Sequence, residues 1–153
     1  MSARIKWPND LIVNDRKLCG IIVEERGGKS LVGVGLNLAA EPENGRLGDD
    51  FTLPASSMAH LTSGITPLGF WRQLIESGYQ RYRDIVGHMT PAVFVAQLER
   101  KMAWTGRRVL VRMGADAPFA ATVLGLAEDG GLRIRCGHRT DTIYNGSLLP
   151  GNV

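Results

Sequence analysis

Short apolar runs separated by turn residues fill the first forty positions: Ile5 to Trp7, Leu11 to Val13, Leu18 to Glu25 and Ser30 to Leu38. That pattern predicts antiparallel strands. Asn14-Asp15 supplies a hairpin turn between the second and third runs, and Gly27-Gly28 another between the third and fourth. The four strands should form a meander. From Ala39 to Leu53 the residues Gly, Pro, Asn, Asp and Glu accumulate without a sustained period, which reads as an exposed loop.

The period then becomes helical. Thr66 as N-cap and Pro67 at the first helical position start a helix. Leu68, Trp71, Leu74, Ile75, Tyr79, Tyr82 and Val86 form its apolar side, with Arg72, Glu76, Arg81, Arg83 and Asp84 largely elsewhere. At that spacing the aromatic stripe reads as core packing and not as a base-stacking platform. Thr90-Pro91 starts a second, shorter helix through Phe94, Val95, Leu98 and Met102. Both helices are expected to cover one face of the sheet.

From Trp104-Thr105-Gly106 onward short strands return: Arg108 to Met113, Ala120 to Leu126, Gly131 to Cys136 and Thr140 to Tyr144. Several short strands joined by Gly- and Asp-containing turns predict a small barrel. Asn145-Gly146-Ser147 has the form of a glycosylation sequon but reads as a turn. The chain therefore divides into 1–103 and 104–153. A cut after Trp104 is expected to leave the first part soluble.

Composition narrows the class. A chain of 153 residues with 44% hydrophobic content can form a packed core. It has neither an apolar run of membrane-spanning length nor an apolar signal core at its start, so a cytoplasmic protein is expected. Cys19 and Cys136 lack the paired spacing of metal sites and read as reduced, buried thiols. The formal net charge is +3, and its positive residues are dispersed among acidic ones even in the Arg-rich segment from Arg107 to Arg139, which favours a mixed solvated surface over a nucleic-acid patch.

Candidate chemistry gathers near the N-terminus. Lys6-Trp7-Pro8-Asn9-Asp10 reads as a strand ending in a tight turn, since proline fixes its φ and Asn and Asp bond locally to the backbone. Such a corner would present Asn9 and Asp10 to a pocket. His60, His88 and His138 fall in different elements without a partner at metal-ligand spacing, so no metal site is expected from them. Ser56 and Ser57 lack nucleophile-elbow glycines and read as a helix cap. Gly33-Val34-Gly35 lacks the further glycine and helix start of a dinucleotide fingerprint, which rejects a Rossmann reading.

Four elements in register resemble the catalytic domain of biotin protein ligases, within the broader biotin/lipoate ligase group. They are Lys6-Trp7-Pro8-Asn9-Asp10, the hairpin from Asp15 to Glu24, Val32 to Leu38 with its Gly-x-Gly-x-Asn, and Ala55-Ser56-Ser57-Met58. The resemblance implies an α+β fold: an antiparallel or mixed sheet covered by helices, part of a class II aminoacyl-tRNA synthetase-like layer, followed by an SH3-like barrel. It also implies that the chain corresponds to the second half of a ligase catalytic domain plus its C-terminal domain. The upstream loop that closes over the adenylate and a DNA-binding winged helix would then both lie outside it.

Roles follow from the same resemblance. Lys17 matches the lysine that contacts the carboxylate and phosphoryl end of biotin and biotinyl-adenylate, a natural task for a fixed ammonium. Asp10 matches an aspartate suited to orienting Lys17 or holding Mg2+. Lys6 and Asn9 resemble contact residues, although a strand-end lysine is equally often solvated. Trp7 would pack near the adenylate, Gly20, Gly33 and Gly35 would let the backbone approach it, and Asn37 would read an adenine edge. The expected ligands are ATP, Mg2+ and biotin, and the expected partners are a biotin carrier domain and, through a sheet edge, a second copy. Two alternatives stand beside this reading: a ligase-like binding module without activity, and a lipoate-type acyl ligase.

Overall fold

The computed structural model describes residues 2–41, 51–61 and 64–151. Two antiparallel sheets and two helices make up the α+β fold. The first sheet contains β1 (Arg4–Lys6), β2 (Asp10–Val13), β3 (Arg16–Arg26) and β4 (Lys29–Leu36), in the order β1-β2-β3-β4. The predicted meander is present. Its hairpin turns take the left-handed backbone that tight connections require, with φ of 52° and 55° at Asn14 and Asp15 and of 58° and 70° at Gly27 and Gly28.

Helix α1 (Pro67–His88) begins as the sequence predicts, with the Thr66 hydroxyl accepting from Gly69 N–H. Helix α2 (Pro91–Glu99) is capped in the same way by Thr90. The expectation that both helices cover one face of the first sheet is not met. Leu68, Trp71, Ile75, Tyr79, Tyr82 and Val86 are all exposed, and α1 buries none of its residues. Periodicity fixes which side of a helix is apolar, but the surface that covers it is a tertiary matter. Met102 lies beyond the end of α2 and is buried in the connector.

Helix α2 instead faces the second sheet. There β5 (Arg108–Arg112), β6 (Phe119–Leu126), β7 (Leu132–Cys136), β8 (Arg139–Ile143) and β9 (Ser147–Pro150) run in the order β8-β7-β6-β5-β9. Among the described residues no pairing joins β8 to β9, so the sheet is open and the predicted barrel does not close. Val95 and Leu98 of α2 pack against its core, and the Glu99 carboxylate accepts from Leu126 N–H at 2.6 Å. That contact sits at a bulge where Gly125 has φ of 141° and where any Cβ would run into the Glu99 carboxylate.

One hydrophobic cluster crosses the boundary near residue 104. Trp7 and Ile12 of the first sheet join Met102, Ala103 and Trp104 of the connector and Val109, Val111, Val123, Leu132, Ile134 and Leu148 of the second sheet. The backbone follows the same route, because Ile5 N–H donates to Lys101 O and Ala103 N–H to Ile5 O. The far halves of β3 and β4 are bare by contrast: Ile22, Val23, Leu31 and Val32 are exposed. No described helix is long and apolar enough to cross a membrane.

Candidate functional site

Cross-strand register builds the site. Lys6 pairs with Asp10, Asp10 with Gly20 and Gly20 with Gly35. Residues opposite each other on antiparallel strands share a face, so these four form a row across the whole first sheet. Gly33, two residues before Gly35, lies on the same face. The row thus runs from two charged side chains to a strip of bare backbone. A Cβ at Gly20 would sit 3.4 Å from Lys17 Nζ and 3.5 Å from Asp10 Oδ1, covering the charged groups. At Gly33 and Gly35 nothing would touch a Cβ closer than 3.8 Å, so that strip is open above the sheet.

Lys17 reaches this face through a bulge. It stands three residues before Gly20, an odd separation that would put it on the opposite side of a regular strand. The pairing steps from Leu11 with Cys19 to Ile12 with Lys17, leaving Leu18 as the extra residue and reversing the phase. The Lys17 ammonium then meets Asp10 Oδ1 at 2.6 Å, while Lys6 Nζ meets Asp10 Oδ2 at 2.9 Å. Asp10 is 6% exposed and Lys6 8%, whereas the Lys17 side chain is 46% exposed. One carboxylate between two ammoniums leaves a formal charge of +1, and the accessible part of it is Lys17.

That arrangement also tests the expected metal. Each Asp10 oxygen already faces an ammonium, a donor set that suits lysine positioning and does not fit a divalent cation. Among the described residues no group of three or more His, Cys, Asp or Glu side chains converges.

The other predicted residues fall into three places. Asn9 holds the corner to β3, with its side chain donating to Ile21 O and its carbonyl accepting from Ile21 N–H. Asn37 follows β4 and donates from Nδ2 to Ser56 O at 2.9 Å, while Ser56 N–H donates to Lys17 O and Lys17 N–H to Pro54 O. It therefore clamps the Pro54–Ser56 segment along the backbone of Lys17. Trp7 does not join the others: it is buried in the shared cluster, and its indole donates to Gly130 O at 3.1 Å. Trp7 stands in the turn after β1 and reaches the second sheet's β6–β7 loop.

Ser57 precedes a single 3-10 turn, Met58–His60, but makes no side-chain cap, contrary to the cap expected there. Glu41 bridges Arg16 and His60 beside that turn, at 3.0 Å from each. Two further contacts lie outside the row of Lys6, Asp10, Gly20 and Gly35. Trp104 donates its indole N–H to Asp15 Oδ1 at 2.7 Å, and the Asp129 carboxylate accepts from Tyr144 OH and Gly131 N–H in the loop that presents Gly130 O. The Tyr144 hydrogen bond holds Asp129 below the usual carboxylate range and, reciprocally, raises the tyrosine. No local signal marks Asp15 and Trp104 as partners, since 89 residues separate them.

Cys19 is buried beside the charged cluster, and Cys136 is half-buried. Burial pushes the Cys19 thiol up, Asp10 pushes it further and Lys17 partly opposes both. An aromatic disulfide reagent at neutral pH is accordingly expected to label Cys136 first and Cys19 only on unfolding. Mass spectrometry of the native protein checks this; early labelling at Cys19 would show that the sheet opens there.

Comparison with known proteins adds the family context. Residues 1–40 match the biotin/lipoate A/B protein ligase family. The chain is 35% identical over 136 residues to a biotin–[acetyl-CoA-carboxylase] ligase of Paracoccus denitrificans, covering 86% of the chain and 56% of that protein. It is 25% identical over 154 residues to the bifunctional ligase/repressor BirA of Bacillus subtilis, covering 96% of the chain and 46% of that protein. The chain thus spans about half the length of these curated relatives. Its fold superimposes on the biotin protein ligase of Aquifex aeolicus with a TM-score of 0.80 at 21% identity, over 99% of the chain and 66% of that protein. The same ligase, solved in complex with biotin and ATP, matches with a TM-score of 0.73 at 20% identity, over 97% and 62%.

Proposed function

We propose that this chain, a relative of the biotin protein ligases that matches their C-terminal region, carries the adenylate-facing charge cluster of an enzyme that forms biotinyl-AMP from biotin and ATP and passes biotin to a lysine of a carrier protein. The observation that carries this reading is the row Lys6, Asp10, Gly20 and Gly35, with Lys17 brought onto it by the bulge. Adenylate formation brings a carboxylate and a phosphoryl group together, and both are anionic. A cation held in place before they arrive stabilises the charge that develops at the phosphorus without reorganising in the transition state.

Lys17 suits that task because its ammonium is fixed from below by Asp10 and open above. Lys6 offsets the charge that Asp10 would otherwise present to an anion. The glycine strip provides a floor on which a flat or acyl group can lie close to the backbone. Asn37 keeps its carbonyl oxygen and one amide hydrogen beyond the Ser56 contact, which leaves it able to pair with an adenine edge. On this reading the first sheet belongs to a class II aminoacyl-tRNA synthetase-like layer and the second is the SH3-like module. A biotin carrier domain is the acceptor, and β4, an edge strand among the described residues, is where a second copy would pair.

The test is calorimetric titration with a hydrolysis-resistant biotinyl-adenylate analogue. Wild-type protein should bind, and Lys17→Ala should bind roughly 10- to 100-fold more weakly, the size of one charge-assisted contact. Folding should be almost unchanged in the variant. No binding by the wild type, or equal binding by both, would refute the reading.

A further inference from the structure

The bulge that brings Lys17 to Asp10 is adjacent to a turn held from the other side of the molecule. Asn14 and Asp15 both have left-handed backbone, and Trp104, which donates to Asp15, is itself a buried non-glycine residue with φ of 62°. Trp104 has little freedom to move. It lies in the shared cluster, its carbonyl accepts from Arg107 N–H, and Gly106 N–H ties the following turn to Val123 O. The Asp15 carboxylate is therefore bonded to a fixed point of the second sheet's core.

We infer that Asp15 and Trp104 are positioning residues for Lys17, their hydrogen bond fixing the β2–β3 turn in the bulged register that delivers the ammonium to Asp10. This deepens the proposed function and rests on Lys17 being its anion-binding group. The reason is one of phase. Lys17 is two residues from Asp15, and the extra residue of the bulge, Leu18, follows it. With the two-residue turn kept, Lys17 stays opposite Ile12 on the face of Asp10, whereas a one-residue slip at the turn would carry it to the opposite face. The two-residue Asn14-Asp15 turn sets that register locally, and the backbone bonds of Lys17 to Pro54 and Ser56 support it. The contact from 89 residues away adds a fixed anchor for the tip of the hairpin.

The decisive measurement needs no ligand. Brief acetylation of the full chain followed by peptide mass spectrometry compares the reactivity of Lys17 with that of Lys29, which lies exposed at the start of β4 and serves as internal control. Asp15→Gly removes the acceptor while tolerating the left-handed backbone, and Asp15→Asn keeps an acceptor oxygen. Lys17 reactivity should rise roughly fivefold in Asp15→Gly, as expected when an ion pair facing solvent is lost. Asp15→Asn should restore it to near wild type, with Lys29 unchanged throughout. Trp104→Phe removes the same bond from its other end and should act as Asp15→Gly does. Unchanged Lys17 reactivity in the folded variants overturns the inference whether or not the adenylate analogue binds. If the wild type fails to bind while Lys17 responds as described, the ligase reading falls and the positioning role stands.

Discussion

Asp10→Asn is expected to cost the fold about 3 to 5 kcal/mol, the penalty for leaving a buried charge without its partner. At about 2 to 4 °C per kcal/mol for a chain of this size, its thermal midpoint should fall by roughly 6 to 20 °C. The reason is the asymmetry between the two lysines. Lys17 is half-exposed and can turn to water, but Lys6 is buried against Asp10 and cannot. An asparagine keeps the shape and one acceptor oxygen yet supplies no counter-charge. Lys17→Ala should cost no more than about 1 kcal/mol, as for other ion pairs with a solvated partner. Thermal unfolding followed by circular dichroism of the two variants separates these outcomes. If Asp10→Asn melts within about 2 °C of wild type, Lys6 has a route to water that the structure does not contain.

That contrast marks what the sequence could reveal. Elements whose causes are local were legible: the Asn14-Asp15 and Gly27-Gly28 turns, the Thr66-Pro67 and Thr90-Pro91 helix starts and the strands between them. The grouping of Lys6, Asp10, Gly20, Gly33 and Gly35 was legible only as a motif resemblance. The physical reason for it, a row across four strands, needed the register. Lys6 was open to a solvated reading because nothing in a three-residue strand tells whether its lysine is covered. Trp7 reads as packing near the adenylate, and nothing local shows that its indole reaches Gly130, 123 residues away. The apolar side of α1 was correctly periodic, yet the surface expected beneath it is absent among the described residues. The open second sheet has the same origin, since turn spacing predicts strands but does not decide whether the edge strands β8 and β9 pair.

Ending the chain at Ala103 is expected to unfold what remains, contrary to the autonomy that the change of period near Trp104 suggests. Before Met102 the buried apolar residues among those described are Trp7, Ile12, Val13, Leu18, Cys19 and Phe51. Trp7, Ile12, Met102 and Ala103 share their cluster with residues that the cut removes. Uncovering the three large side chains forfeits about 1.5 to 3 kcal/mol each. The sum is comparable to the whole net stability of about 5 to 15 kcal/mol of an ordinary domain. Three side-chain hydrogen bonds are lost as well, Trp7 to Gly130, Trp104 to Asp15 and Leu126 to Glu99, and α2 loses the surface on which Val95 and Leu98 pack. Residues 1–103 should therefore show no cooperative thermal transition and poorly dispersed amide resonances, whereas the full chain melts as one unit. A cooperative melt of the shortened chain would mean that the first sheet has a core of its own. Its failure to fold would show that Lys6, Asp10 and Lys17 depend on a second sheet that contributes none of their side chains, which makes the boundary near Trp104 a change of strand pattern within one folding unit.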